Sequence, residues 1–346
     1  MAQHLTPVTS NQTMHTSDSI RKIPSGVLLV LEEEDLKYVS RLGSAFNGIK
    51  TKVFPKCTET ISELVMLAKR AGLDTIVTTR LDLLQKLLPE GPVRKAAKVS
   101  NYDGSIIPWK DTEFLILAPM KRLQTVPYGE FLATTYISKL VHPQRWRQTS
   151  EFNWKLIQNA QDFQVALAAL SVCDLIATDT ETARWNASIR MVGYTGVRLE
   201  DGTTITYVIP IKSMDSIYWM RKINALQVPK VMQNGKYDCA YFARFGCPCW
   251  GYYFDTKNML HAWYAELPKD LGSVSALLIR DSMYWKDLGD SANEQEQYLY
   301  NALDCWATAE ACLSWLAAAP KWAKQNYVME FMTVPAAHMC EMTELS

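Results

Sequence analysis

Three strand-length apolar runs follow one another between residues 175 and 210, namely Leu175 to Thr180, Arg190 to Tyr194 and Thr204 to Pro210. Turn-forming residues separate them, so they read as the three-stranded antiparallel start of a sheet. A short strand at Val231 to Gln233, a helix at Tyr237 to Phe245 and a strand at Tyr252 to Asp255 come next. Beyond them the pattern is almost wholly helical and ends in a long helix from about Asn293 to Ala318. An antiparallel start that passes into alternating helix and strand restricts this part of the chain to an α/β class.

Ahead of it, strand and helix patterns also alternate: strands at Val27 to Leu31, Lys50 to Phe54, Thr75 to Thr79 and Glu113 to Leu117, and helices at Glu32 to Phe46, Glu59 to Ala71 and Leu81 to Leu88. These predict a small α/β domain. Glu32, Glu33 and Glu34 stand where a phosphate-binding loop would need glycines, so nucleotide binding there is not expected. Residues 1–22 are rich in Ser, Thr, Gln and His and are expected to form a flexible tail. The expected organisation is therefore a tail over 1–22, a small α/β domain of unassigned role over 23–145, a second domain over 146–318 and a helical segment over 319–346.

The chain is 346 residues long with no formal net charge, but the charge is unevenly placed. Residues 1–150 hold 20 Lys and Arg against 14 Asp and Glu, whereas residues 171–312 hold 13 against 17. A mildly basic front suits contact with phosphate, and an acidic middle suits carboxylates gathered for a purpose. Eight cysteines are dispersed and no apolar signal segment stands near Met1, so free thiols and a cytoplasmic setting are expected. Cys247 and Cys249 lack a second pair at zinc-ligand spacing. No stretch reaches the length a membrane-spanning helix needs, and no membrane contact is expected.

The acids then fall into a pattern. Asp179-Thr180-Glu181 ends an apolar strand, and the period of two puts both carboxylates on one face with Thr180 on the other. Like charges so close favour a bridging cation. Gln233-Asn234-Gly235-Lys236-Tyr237-Asp238 places a third acid at a strand-to-helix junction. Tyr300 and Asp304 are four residues apart in the long helix and hence share a face beside a core stripe read as Leu299, Leu303, Ala307 and Ala311. An acid at the border of a packed interior needs a cation or hydrogen-bond donors.

Taken in this order, the segments Asp179 to Thr182, Gln233 to Asp238 and Tyr300 to Asp304 resemble the three motifs of the proofreading 3′→5′ exonuclease domain of family A (DNA polymerase I type) DNA polymerases. Phe254-Asp255-Thr256 is similar to the segment between the second and third. The resemblance covers about 160 to 345. It implies an RNase H-like (DnaQ-like) exonuclease fold preceded by the small α/β domain, with 319–346 similar to the start of a polymerase domain that the sequence does not continue.

The resemblance further implies hydrolysis of single-stranded DNA from the 3′ end with two Mg²⁺ ions, for which Mn²⁺ can substitute. Asp179 would bridge both ions, Glu181 and Asp304 would complete the water-activating site, Asp238 would hold the second ion through water, and Tyr300 would orient the attacking water. Thr180, Trp185 and Asn234 are the candidate substrate contacts, Asn234 also being able to brace its loop. A separate polymerase chain is the implied partner, covering a face formed by Val328, Phe331, Met332, Pro335, Met339 and Met342, and the arrangement fits a viral replication protein. The alternatives are an RNase D-like 3′ RNA exonuclease, which shares the four acids and the tyrosine, and a non-catalytic interaction module.

Overall fold

The computed structural model describes residues 24–333, apart from 47, 55–59, 91–93, 96, 184–187 and 283. The expected tail over 1–22, Trp185, and Pro335, Met339 and Met342 lie outside the described residues. No described helix is long and apolar enough to cross a membrane. The described residues form two compact units, one made of those from 24 to Thr149 together with Ser275–Leu288, the other of Ser150–Val274 and the described residues from Gly289 on.

In the first unit, strands β1 (Val27–Val30), β2 (Thr51–Phe54) and β3 (Thr75–Thr78) alternate with helices α1 (Ile61–Arg70) and α2 (Leu81–Leu87). The strands β4 (Ile106–Trp109) and β5 (Thr112–Ile116) and the helix α3 (Gly129–Val141) follow. The sheet runs β2-β1-β3-β5-β4, parallel except for β4. Strands β1 and β3 are buried along their whole length, as continuous apolar runs in a covered parallel sheet should be. Residues 33–46 are helical as the spacing predicts, wound as a 3-10 helix. Strand β4 carries Pro108, which is exposed at the sheet edge, where a missing N–H costs no ladder bond.

The segment Ser275–Leu288 departs from the expected 146–318 domain by joining this first unit. The physical reason is Arg280. Its guanidinium is 4% exposed and forms a two-pronged pair with Glu113 at 3.0 and 2.7 Å, while its Nε donates to the Lys139 carbonyl at 2.9 Å. Ile106 N–H also donates to the Ser282 carbonyl at 3.2 Å. A guanidinium taken out of water needs these partners, and they fix where the segment sits.

Lys139 is wholly buried beside it, donating to the Gly104 carbonyl at 2.8 Å and lying over the rings of Tyr136 and Trp146. Burial pulls its amine down from 10.5 to about 7, with Arg280 adding to that effect and Asp281 and Asp103 opposing it. Between these two values the unfolded chain binds more protons than the folded one, so stability should rise with pH by up to about 1.4 kcal/mol per unit. Melting of the first unit should therefore shift upward from pH 7 to pH 9.5 in the native protein. Lys139→Met should flatten that rise; an equal rise in both would exclude Lys139 as its source.

The second unit begins with β6 (Trp154–Leu156) and α4 (Ala160–Ser171), followed by β7 (Leu175–Thr182), β8 (Ile189–Val197), β9 (Thr204–Pro210) and α5 (Met214–Asn224). Then come β10 (Lys230–Met232), α6 (Lys236–Arg244), β11 (Tyr252–Asp255) and α7 (Thr256–Trp263), and finally α8 (Leu271–Leu278), α9 (Glu294–Ala318) and α10 (Lys321–Tyr327). Helix α8 begins in this unit and ends in the first. The sheet order is β11-β10-β7-β8-β9-β6, with β7, β8 and β9 antiparallel and β10 and β11 parallel to β7. An antiparallel start followed by parallel strands is the α/β arrangement that the strand pattern predicts, in the RNase H-like order that the resemblance implies.

Helix α9 lies across β7, β8 and β9. It is buried almost without interruption from Asn301 to Trp315, which corrects the expected stripe. Leu299 and Leu303 are only half-buried, whereas Tyr298, Ala302 and Cys305 face the core together with Ala307 and Ala311. The small residues Ala302, Ala307, Ala309 and Ala311 let the helix approach the sheet closely. Helix α5 did not announce itself because its apolar residues occupy both faces, with Met214 76% exposed and Met220 buried. Its start is instead fixed by Ser213, whose side chain accepts from the Ser216 N–H in a capping box.

Candidate active site

Strand β7 pairs with β8 along its whole length, but with β10 only at Ile176 and Ala177. From Asp179 onward one edge of β7 therefore has no neighbouring strand, and the backbone donors there require other acceptors. Asp238, in the first turn of α6, supplies one. Its Oδ1 accepts from the Thr180 N–H at 2.9 Å and from the Thr180 hydroxyl at 2.6 Å. One residue earlier in α6, Tyr237 shares a 2.6 Å hydroxyl contact with Thr182. The start of α6 is thus fastened to the side of β7 that carries the two threonines.

The alternation expected of β7 sends its acids the other way. Asp179, Glu181 and Asp304 each offer a carboxylate oxygen, and the three oxygens lie within 4.8 Å of one another. Two come from the end of a strand and the third from α9, elements that the core holds rigidly. Three carboxylates at that separation repel strongly unless a cation or protons intervene. Their hard oxygens, with no imidazole or thiolate in the group, match a divalent ion such as Mg²⁺ or Mn²⁺.

Tyr300 stands beside this group. Burial raises its phenol far above the ordinary value, the charges of Asp304, Glu181 and Asp179 raise it further, and its hydroxyl is hydrogen-bonded to Asp304. A phenol held above its ordinary value remains a protonated donor at neutral pH. Gly289 packs against its ring so closely that a Cβ there would lie 3.0 Å from the nearest ring carbon. Cys305, next to Asp304 and wholly buried, has its thiol held well above its usual value, by burial first and then by Asp179, Asp304 and Asp238.

Of the residues named from sequence, Asp179, Glu181, Asp304 and Tyr300 come together. Asp238 stands back from the three-carboxylate group. It is 3% exposed, and burial pushes its carboxyl up to about 6 against the opposing hydrogen bonds from Thr180, with Asp255 adding to the rise. Thr180, expected at the substrate, is buried with both its donors committed to Asp238, so the alternating geometry that turns the acids outward turns Thr180 inward.

Asn234 braces its loop. It adopts a left-handed backbone (φ 58°), its N–H donates to Asp255, and its side-chain oxygen accepts from Lys257 Nζ at 2.9 Å. Asp255, in the segment read as lying between the second and third motifs, ties β11 to that loop by also accepting from the Gly235 N–H at 2.9 Å, and it caps α7.

Two residues escaped the sequence reading. Asn301 is fully buried and its Nδ2 donates to the Asp179 carboxylate at 3.0 Å. Gly193 faces Asp179 across the β7–β8 ladder. A Cβ there would lie 2.5 Å from Cys305 Sγ and 2.6 Å from Asn301 Oδ1. A glycine within a strand signals close approach of another element, and here that element is α9.

No known family model matches the sequence, and no curated protein does. Among solved structures, the chain is similar to the EXO domain of Aedes aegypti Nibbler at 14% identity and a TM-score of 0.39, over 57% of this chain and 98% of that one. It is also similar to Escherichia coli RNase D, an exoribonuclease involved in structured RNA processing, at 16% identity and a TM-score of 0.35. That match covers 51% of this chain and 49% of RNase D, about half its length. A third similarity is to the POL domain of Pol1 from M. smegmatis in complex with DNA primer-template and dNTP, at 13% identity and a TM-score of 0.36, over 52% of this chain and 30% of that one. Likenesses at this level assign no activity. What the site can do follows from its own side chains, three converging carboxylates that could hold a divalent ion beside a phenol that keeps its proton.

Proposed function

We propose that this chain is a metal-dependent 3′→5′ exonuclease that removes nucleotides from single-stranded DNA ends and serves a DNA polymerase as its proofreading activity. The observation that carries this reading is the convergence of Asp179 and Glu181 from the end of β7 with Asp304 from α9, with Tyr300 against them. When bound, divalent ions supply charge neutralisation at a phosphodiester and lower the pKa of a coordinated water. Asp179, Glu181 and Asp304 hold the ion. Asp238, whose Oδ1 is committed to Thr180, would hold a second ion through water, as the resemblance implies. Tyr300 keeps its proton and directs its hydroxyl at the carboxylate group, where it can orient a water.

The preference for DNA rests on the similarity of the Gln233 to Asp238 segment and of the C-terminal helical segment to the polymerase family. A separate polymerase chain is the partner this reading implies, and Val328 and Met329 offer it side chains that are 46% and 54% exposed. Phe331, expected on the same face, packs edge-on to His261 and against Tyr327 within its own unit.

A 5′-labelled single-stranded DNA oligomer incubated with Mg²⁺ should shorten to a descending ladder, and a matched RNA oligomer should be cut no faster. Absence of any ladder in Mg²⁺ or Mn²⁺ from folded protein would remove the nuclease reading. Faster cutting of RNA would replace the DNA assignment with an RNase D-like one.

A further inference from the structure

The amide of Asn301 has two ends in different situations. Nδ2 donates to the Asp179 carboxylate at 3.0 Å and lies 3.4 Å from the Asp179 carbonyl, so one side chain reaches both ends of that residue. A carboxylate only accepts, which fixes the amide with its nitrogen toward Asp179. Oδ1 is consequently turned the other way, buried and without a hydrogen-bond partner among the described residues. It faces the position where Gly193 has a hydrogen in place of a Cβ, 2.6 Å from where that Cβ would stand. The most it can gain there is a weak Cα–H···O contact.

A buried acceptor without a partner costs stability. Packing alone would be served as well by Leu, which has the same branching and no orphaned atom. The amide at position 301 is therefore explained by its nitrogen end. A buried donor on a rigid helix, 3.0 Å from a carboxylate on a rigid strand, holds that carboxylate in one rotamer.

We infer that Asn301 is a positioning residue that aims the Asp179 carboxylate at the metal. This rests on the proposed function, because it assigns the orientation of a metal-holding group within that same site. Asn301 is fully buried and acts through Asp179. A donor that fixes the orientation of a metal-holding carboxylate keeps that ligand ready, and its loss typically lowers metal affinity by about 10- to 100-fold.

The test compares the full chain with Asn301→Leu and Asn301→Ala, measuring Mn²⁺ binding by calorimetry and by the electron paramagnetic resonance of the bound ion, and melting of the metal-free protein. The expected result for Asn301→Leu is Mn²⁺ affinity lower by at least about 10-fold, with an altered resonance and a melting temperature equal to or above that of the native protein. Asn301→Ala, which overfills nothing, should show the same loss of affinity should the leucine variant fold poorly. Mn²⁺ affinity within twofold of native in either folded variant overturns the inference, as does a loss of affinity that appears only together with a collapse in melting temperature in both. A native chain that takes up no Mn²⁺ overturns the proposed function and this inference with it, whereas native uptake matched by the variants overturns the inference alone.

Discussion

Replacing Asp179 and Glu181 together by alanine should abolish cleavage of a single-stranded 3′ end while leaving the protein folded. The two side chains supply two of the three oxygens that lie within 4.8 Å of one another, and Asp304 alone cannot hold a divalent ion in competition with water. A metal-assisted hydrolysis that loses its ion loses several kcal/mol of charge stabilisation, so the rate should fall by at least about 10³-fold. The fold should survive because the removed groups repel one another in the metal-free state. Melting without metal should be unchanged or raised, and the stabilisation that Mn²⁺ confers on the native protein should vanish.

Tyr300→Phe provides the internal contrast. It leaves the three carboxylates in place and removes only a hydroxyl, so roughly 10- to 100-fold less activity should remain measurable. If the tyrosine variant proves more damaged than the double alanine variant, the division of roles between acids and phenol is wrong.

Gly193→Ala should damage both the stability of the protein and its metal site. The new Cβ would sit 2.5 Å from Cys305 Sγ and 2.6 Å from Asn301 Oδ1, both on the buried side of α9. Neither can swing into open space. Relief requires α9 to lift from β8 or Asn301 to turn away from Asp179. Overpacking of this kind costs about 1–3 kcal/mol, and the displaced helix carries Asp304 and Tyr300 with it. Chemical denaturation should report the lost stability and Mn²⁺ titration a weakened site. Cys305→Ala in the same chain should restore part of the stability, because it clears one of the two clashes. A Gly193→Ala protein as stable as the native one would mean that the helix and strand are less closely opposed than the structure has them.

What could be read from the sequence divides along a physical line. The placement of Asp179 and Glu181 on one face of β7 follows from a period of two, and that of Tyr300 and Asp304 from a period of nearly four, both local rules that need no knowledge of the rest of the chain. The antiparallel start of the second sheet and the alternation of helix and strand after it were legible for the same reason. The use of Thr180 was not, because its two donors find their acceptor in Asp238, 58 residues away.

Asn301 escaped for a related reason, its partner being 122 residues away. A polar residue on the buried side of α9 was nevertheless a visible irregularity, and so was a glycine within β8. Strand β6, three residues long, has too few positions to show any period, and it is defined only by its parallel pairing with β9. Leu299 and Leu303 misled in the opposite sense. Leucines at helical spacing mark a core stripe when a helix has one buried face, but α9 is enclosed on nearly all sides, and the residues that face the core are Tyr298 and mostly small ones.

The membership of Ser275–Leu288 in the first unit bears on the order in which the protein can be made. A ribosome completes the five strands of the first unit by residue 116, yet Glu113 and the carbonyl of Lys139 receive Arg280 only once that residue has emerged, 167 and 141 residues after them. During that interval the site for the Arg280 side chain stands open and the second unit is still being synthesised. Folding of the first unit on the ribosome therefore ends late, after the strands β6 to β11 of the second have been synthesised.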